Sequence, residues 1–166
     1  YFHNIISIVM FLVWISIGLI GLKSKNKQLI YKTSIWIIII CLIQESTDYI
    51  NRIFLDSNYN FSIKRDLPFL HFCQVSFYFS IFCIYFNRKN ISENNKYSVN
   101  QFLFDSAFLL GFSGAFQSII TPDFNNINNI LGVICFQLQH SLIILNVIWL
   151  MSAYNYRLKF KGVCFT

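Results

Sequence analysis

Long apolar runs alternate with short polar segments along the whole chain. A membrane-crossing helix needs about 20 mostly apolar residues, and five runs of suitable length lie at residues 5–22, 34–53, 67–86, 102–120 and 130–153. The lipid interior offers the backbone no hydrogen-bond partners, so runs of this length are expected to be helices and not strands. The pattern therefore predicts an all-α fold, a polytopic transmembrane bundle of about five helices.

The composition excludes an ordinary soluble protein. Only 12% of the residues are charged and 55% are hydrophobic, whereas soluble domains carry about 25% charged residues. Too little charge is present to cover a water-facing surface, so we expect one integral membrane domain over residues 1–166. The chain begins with Tyr1 and not with Met, which we interpret as the start of a piece of a longer protein.

Basic residues are distributed unevenly between the two sets of connecting segments. Ten of the 13 Lys and Arg residues follow the first, third and fifth runs, and the other three lie at the end of the second run or after it. The positive-inside rule then places the N-terminus outside and the C-terminal tail in the cytoplasm, in what we expect to be a bacterial cell membrane. The same distribution accounts for the net charge of +6, so no nucleic-acid partner is expected.

Polar side chains inside the predicted spans concentrate at one depth. With a rise of about 1.5 Å per residue, nearly all of them fall in the predicted outer half of the bilayer. Ionisable groups near the bilayer centre cost about 2.5 to 3.5 kcal/mol each and usually face the bundle interior. We therefore expect one polar pocket formed by Glu45, Asp48, His71, Cys73, Gln117, Gln137 and His140.

Helical spacing predicts how some of these residues meet. Asp48 and Arg52 are four apart and are expected to form an ion pair, whereas Gln137 and His140 are three apart and share a face. His71 and Cys73 are two apart, so in a continuous helix they would point to different sides. The glutamines have a simpler interpretation as interhelical hydrogen-bonding residues.

Cysteines and glycines give weaker signals. The five cysteines form no CxxC pair and no zinc-type spacing, so neither a disulfide framework nor a metal site is predicted, and no cofactor is expected. Gly111 and Gly114 are three apart, which predicts that both lie on one face of the fourth helix and allow a neighbouring helix to approach.

Three motifs resemble the YwaF-like integral membrane proteins. They are "LPFLHFC" at residues 67–73, "GFSGAFQSIITPD" at residues 111–123 and "QHSLII" at residues 139–144. That family shows Leu-Pro-Leu-His-Leu-Cys, a Gly-rich span ending in Leu-Thr-Pro-Asp, and His-Gly-Leu-Ile in the same order. Thr121, Pro122 and Asp123 carry the most specific part of the match. Here Pro68 stands one residue further from the histidine, and Ser141 replaces the glycine.

The resemblance implies a chemistry for the pocket. The family is distantly similar to eukaryotic multi-span proteins that transfer or hydrolyse fatty acyl groups, in which a nucleophilic Cys or Thr and an intramembrane His are the proposed catalytic pair. It therefore implies Cys73 as nucleophile and His140 as base, with His71 as an alternative base or orienting residue. Glu45 or Asp48 would orient the imidazole.

Three functions stay open at this stage. The first is a membrane-embedded acyltransferase or lipid hydrolase whose partners are membrane lipids. The second is a non-catalytic subunit or assembly factor of a larger membrane complex. The third is a small ion-coupled transporter that relays protons through Glu45, Asp48 and His140, which the lack of visible inverted repeats disfavours.

Overall fold

The structure is a computed structural model that describes residues 2–66, 71–88, 99–124 and 127–159. These residues form helices and connecting segments, and no strand occurs among them. The helices are α1 (Phe2–Lys23), α2 (Lys27–Ile50), α3 (Ile63–Asp66), α4 (Phe72–Asn87), α5 (Val99–Ala107), α6 (Ser113–Ile120) and α7 (Ile130–Ala153). A π-helical turn, Asn51–Leu55, extends α2, and a second, Phe108–Phe112, joins α5 to α6. The described chain thus contains five long helical rods.

The all-helical prediction is confirmed. Four helical rods are long and apolar enough to cross a membrane, at His3–Lys23, Lys27–Leu55, Val99–Ile120 and Ile130–Ala153. The last has the predicted bounds. The third predicted span appears as the shorter apolar helix Phe72–Asn87, and residues 67–70 of that prediction lie outside the described residues. The chain is an integral membrane protein.

The second span begins earlier than its hydrophobic pattern predicts. Asn26 caps α2, and its side-chain oxygen accepts hydrogen bonds from the backbone N–H groups of Gln28 and Leu29. An asparagine at this position satisfies two of the donors that a helix start leaves unpaired. The cap therefore adds almost two polar turns ahead of the apolar run.

Helix α7 forms the centre of the bundle. The helices α1, α2, α4 and α6 all pack against it. Its C-terminal half holds fully buried side chains such as Ile143, Val147 and Trp149. A helix that is apolar on all sides is buried or lies in lipid. The outer helices instead expose large apolar side chains, among them Ile8 and Trp36, each 63% exposed, as expected for a lipid-facing surface.

Glycines allow α4 to contact closely the helical rod formed by α5, the second π-helical turn and α6. A Cβ atom added to Gly111 would lie 1.7 Å from Ser76 Oγ, and one added to Gly114 would lie 3.7 Å from Cys73 Sγ. Both glycines therefore face α4, which confirms the prediction from their spacing. The Ser76 hydroxyl donates to the carbonyl of Ala107 at 2.7 Å, just before the π-helical turn.

The chain after α7 turns back against the bundle. Asn155 adopts a left-handed conformation with φ of 57°, which commonly ends a helix. The hydroxyl of Tyr156 then donates to Asn87 Oδ1 at 3.0 Å, and the Trp149 indole donates to Ser34 Oγ at 2.9 Å. Neutral polar groups thus join α2, α4 and α7 at this end of the bundle.

Candidate active site

A polar cavity lies where α2 ends and where α4 and α7 begin. Its volume is about 360 Å³, which is enough for part of a lipid molecule but not for a whole one. The lining residues come from three helices and from the segments that follow α2 and α6. They are Asp48, Asn51, Arg52, Asp56, Tyr59, His71, Cys73, Gln74, Asp123, Ile127, Gly132, Phe136, Gln139 and His140.

Cys73 occupies the first turn of α4 and forms part of the cavity wall. The helix begins at Phe72, and the side chain of its N-cap residue His71 makes no capping hydrogen bond. The thiol is half-buried and free, and the absence of a side chain on Gly114 leaves room beside its sulfur. A nucleophile at this position is close to the unpaired backbone N–H groups of a helix start.

His71 lies next to Cys73 in the cavity and not on the far side of a helix. Its backbone is extended, with φ of −115° and ψ of 127°, because α4 begins one residue later. The expectation that His71 and Cys73 point to different sides assumed a continuous helix and is therefore wrong: both line the same cavity. His71 is exposed, whereas the other cavity histidine is not.

His140 is held in one orientation by its own helix. Its Nδ1 lies 2.8 Å from the carbonyl oxygen of Phe136, and its ring packs on the Phe136 ring with centroids 4.3 Å apart. A carbonyl oxygen can only accept, so Nδ1 carries the proton and the neutral ring has its lone pair on Nε2. The side chain is 6% exposed and belongs to the cavity wall. The geometry provides a candidate general base.

The ion pair predicted from spacing is confirmed. Arg52 and Asp48 are 2.7 Å apart, with the Asp48 side chain buried and the Arg52 side chain partly exposed. Both line the cavity, and the Arg52 guanidinium also lies 5.8 Å from the centre of the Tyr59 ring. The Arg52 cation of the cavity wall is therefore already neutralised by a neighbouring carboxylate.

Glu45 lies beneath the cavity and does not line it. One of its carboxylate oxygens accepts a hydrogen bond from the Tyr78 hydroxyl at 2.8 Å, and the other accepts from Gln139 Nε2 at 3.2 Å. It makes no hydrogen bond to His140, whose Nδ1 is bound by the Phe136 carbonyl. The expectation that Glu45 or Asp48 orients the imidazole is therefore wrong, because a backbone carbonyl of the same helix performs that task.

The two glutamines predicted for the pocket lie elsewhere. Gln137 is fully buried, and its Nε2 donates to Ser7 Oγ of α1 at 2.6 Å. Gln117 lines a shallow groove on the outer surface of α6. The spacing of residues along one helix does not show which neighbouring helix each side chain faces. It therefore could not predict that Gln137 contacts α1 or that Gln117 lies outside the cavity.

Two other glutamines take their place in the cavity wall. Gln139 lines the cavity and donates to Glu45. Gln74 also lines it, directly after Cys73, and is 4% exposed. Gln74 was not among the residues predicted for the pocket, although a polar residue within so apolar a run indicates a buried polar contact.

The Thr-Pro-Asp motif ends α6 and contributes one residue to the cavity. The backbone N–H and the hydroxyl of Thr121 both donate to the carbonyl of Gln117, at 2.8 and 3.1 Å. Pro122 follows as half-buried, non-helical chain, and Asp123 then lines the cavity. The motif thus turns the chain so that its carboxylate reaches the cavity wall.

Polar groups of the bundle divide into two kinds. Several are used in interhelical hydrogen bonds, as in the contacts of Gln137 with Ser7 and of Gln44 with the Cys135 carbonyl, which fits a packing role. Cys73 and the Nε2 atom of His140 have no such partner among the described residues. No group of three or more potential metal ligands occurs in the part of the chain that the structure describes.

Comparison with known proteins identifies one family. The model of the TMEM164 family matches residues 1–166. No curated protein and no solved structure matches the chain.

Proposed function

The chain belongs to the TMEM164 family, and on that premise we propose that it is a membrane-embedded enzyme that transfers or hydrolyses lipid acyl groups. Cys73 is the nucleophile and His140 is the general base. The family match covers residues 1–166, which include every residue named in this proposal. We also propose that the chain is related to the YwaF-like proteins, as its three motifs indicate.

One observation carries the proposal. A free cysteine of α4 and a buried histidine of α7 line the same cavity. The Nδ1–H group of the histidine donates to the Phe136 carbonyl, which leaves its Nε2 atom free to accept a proton. A thiol is a weak nucleophile until a base removes its proton. An imidazole whose Nε2 carries the lone pair is the side chain that most often performs this task.

The reaction follows from these two groups. Nε2 of His140 takes the thiol proton as Cys73 Sγ forms a bond to the carbonyl carbon of a lipid ester, and the carbonyl π electrons move to oxygen. The tetrahedral intermediate then collapses, the ester C–O bond breaks, and the alkoxide leaving group takes the proton from His140. A second alcohol or water attacks the thioester in the reverse sense, which releases Cys73.

A lipid substrate agrees with the surroundings of the cavity. The helices around it carry exposed apolar side chains suited to acyl chains, and the cavity is polar where an ester group would lie. We also propose, from the distribution of basic residues, that this end of the bundle faces the outside. Attachment of a membrane-impermeant biotin reagent to a single cysteine placed near Tyr59 would test the orientation in intact cells.

The alternative is a non-catalytic subunit whose polar residues only join helices. The interhelical hydrogen bonds donated by Gln137 and Gln44 are what that alternative expects. It does not account for a half-buried thiol that lines a cavity together with an unpaired imidazole nitrogen. Copurification of other chains at fixed stoichiometry, together with an inactive cavity, would favour it.

A direct assay separates these functions. Purified protein in liposomes that contain one phospholipid with an isotopically labelled acyl chain should form a labelled thioester on the Cys73 peptide, detectable by mass spectrometry. Cys73→Ser and His140→Ala should abolish the adduct, whereas Cys135→Ala should retain it, because that buried cysteine lies outside the cavity. The absence of adduct and of any lipid product from folded wild-type protein would refute the enzymatic proposal.

A further inference from the structure

The Gln74 amide is a buried polar group without a protein partner. It is 4% exposed, it forms part of the cavity wall, and it makes no hydrogen bond to any residue that the structure describes. Buried amides normally find partners, and an unpaired one costs about 1 to 3 kcal/mol. The atom that bears this cost is Oε1, whereas Nε2 makes no hydrogen bond to a described residue and belongs to a cavity-lining side chain that directly follows the candidate nucleophile.

The amide is oriented so that its donor is the end available to a ligand. Oε1 of Gln74 is sealed inside the protein and unpaired, which leaves Nε2 as the polar atom that can reach the cavity. The cavity's other glutamine, Gln139, already donates to Glu45, and Arg52 is paired with Asp48. Gln74 thus provides an uncommitted neutral N–H donor in the cavity wall.

The start of α4 adds donors at the same place. Cys73 and Gln74 lie in its first turn, whose backbone N–H groups have no intrahelical acceptor, and the side chain of the N-cap residue His71 does not cap them. The positive end of the helix dipole also favours negative charge there. A helix of 16 residues whose first turn carries both the nucleophile and a free amide is suited to an oxyanion.

We propose that the Gln74 amide and the first-turn N–H groups of α4 form the oxyanion site of the reaction assigned to Cys73. This inference rests on the proposed function. When Sγ adds to the ester carbonyl, the negative charge that develops on the carbonyl oxygen accepts a hydrogen bond from Gln74 Nε2. When the intermediate collapses, the C=O bond forms again, and the leaving alkoxide takes its proton from His140.

Two probes of Cys73 distinguish this role from a structural one. A p-nitrophenyl fatty ester acylates the thiol through an oxyanion, whereas a long-chain iodoacetamide alkylates it by displacing iodide without forming one. Both rates can be followed by mass spectrometry of the intact protein in detergent micelles. Loss of an oxyanion donor typically slows acyl transfer by about 100-fold to 1,000-fold, so Gln74→Ala should lose about that much in acylation and keep its alkylation rate within about threefold.

Two further variants control the experiment. Gln74→Met has a similar shape without the donor, so it should acylate as slowly as Gln74→Ala while its melting temperature stays equal to or rises above that of wild type. Gln44→Ala removes another buried glutamine whose oxygen is unpaired but which lies outside the cavity. It should leave both rates unchanged.

Each outcome decides the inference. Acylation of Gln74→Ala at the wild-type rate, in an enzyme that Cys73→Ser inactivates, overturns the oxyanion site and leaves the proposed function standing. An equal loss of both rates assigns Gln74 a structural role and also overturns it. A wild-type thiol that is alkylated but never acylated refutes the proposed function, and the inference with it.

Discussion

Two glycines one turn apart allow a matched test of how α4 is seated against the rest of the bundle. Substituting alanine at Gly111 would place a Cβ atom 1.7 Å from Ser76 Oγ and 2.5 Å from Ser76 Cβ. A rotamer change at Ser76 cannot relieve the second contact, so the helices must separate. At Gly114 the added Cβ would lie 3.7 Å from Cys73 Sγ, an ordinary van der Waals distance.

The expected difference in stability between the two variants is large. Overpacking costs about 1 to 3 kcal/mol, and separating the helices also breaks the hydrogen bond from Ser76 to the Ala107 carbonyl, worth about 1 kcal/mol. Gly111→Ala should therefore lose about 2 to 4 kcal/mol. Gly114→Ala adds a favourable contact and lowers the entropy of the unfolded chain, so it should gain up to about 1 kcal/mol.

Thermal unfolding in detergent, followed by tryptophan fluorescence, measures this difference. At about 2 to 4 °C per kcal/mol for a chain of this size, Gly111→Ala should melt at least about 4 °C below wild type, and Gly114→Ala at or above it. The double variant Gly111→Ala/Ser76→Gly removes the contact with Ser76 but not the 2.9 Å contact with Ile143 Cγ2, so it should recover only part of the loss. Equal melting temperatures for the two alanine variants would refute the close approach of α4.

Three other results are expected. Asp48→Asn leaves the Arg52 charge without its buried partner and should lower thermal stability, whereas Asp48→Leu/Arg52→Met should recover it, because removing both charges of a buried pair costs far less than removing one; equal loss in both variants would contradict the pairing. His140→Ala should slow acylation of Cys73 by about 100-fold to 10,000-fold, as loss of a general base does, and an unchanged rate would exclude His140 as the base. Gln137→Leu should cost about 0.6 kcal/mol through its lost interhelical hydrogen bond while leaving Cys73 alkylation unchanged, and a large drop in alkylation would place Gln137 at the site.

Part of the site followed from local spacing. The ion pair of Asp48 with Arg52 needed only two residues four apart on one helix, and the shared face of Gly111 and Gly114 needed only the helical repeat. Both predictions are confirmed, because a regular helix fixes these relations whatever lies beside it. The error at His71 arose where the helix is not regular, since α4 begins one residue later than the prediction required.

The cavity itself required distant elements to meet. Which glutamine reaches it depends on what each helix faces: α1 supplies Ser7 as the partner of Gln137, whereas Gln74 is left without one. The orientation of His140 likewise depends on the Phe136 carbonyl, four residues earlier, which binds Nδ1 in place of a carboxylate. Each buried polar side chain could bind several partners. The energies of these alternative hydrogen bonds differ too little to be ranked from a single sequence.

The amino-acid sequence alone determined that this protein resides in a lipid bilayer and that it crosses it with long apolar helices. A chain with 12% charged residues and five long apolar runs can satisfy its backbone in lipid only as helices. Only the tertiary structure decided that α7 lies at the centre and that Cys73 and His140 share a cavity. The physical reason is that hydrophobicity favours transfer of each helix into lipid without specifying its neighbours, whereas the arrangement of the helices depends on close packing and on specific hydrogen bonds between them.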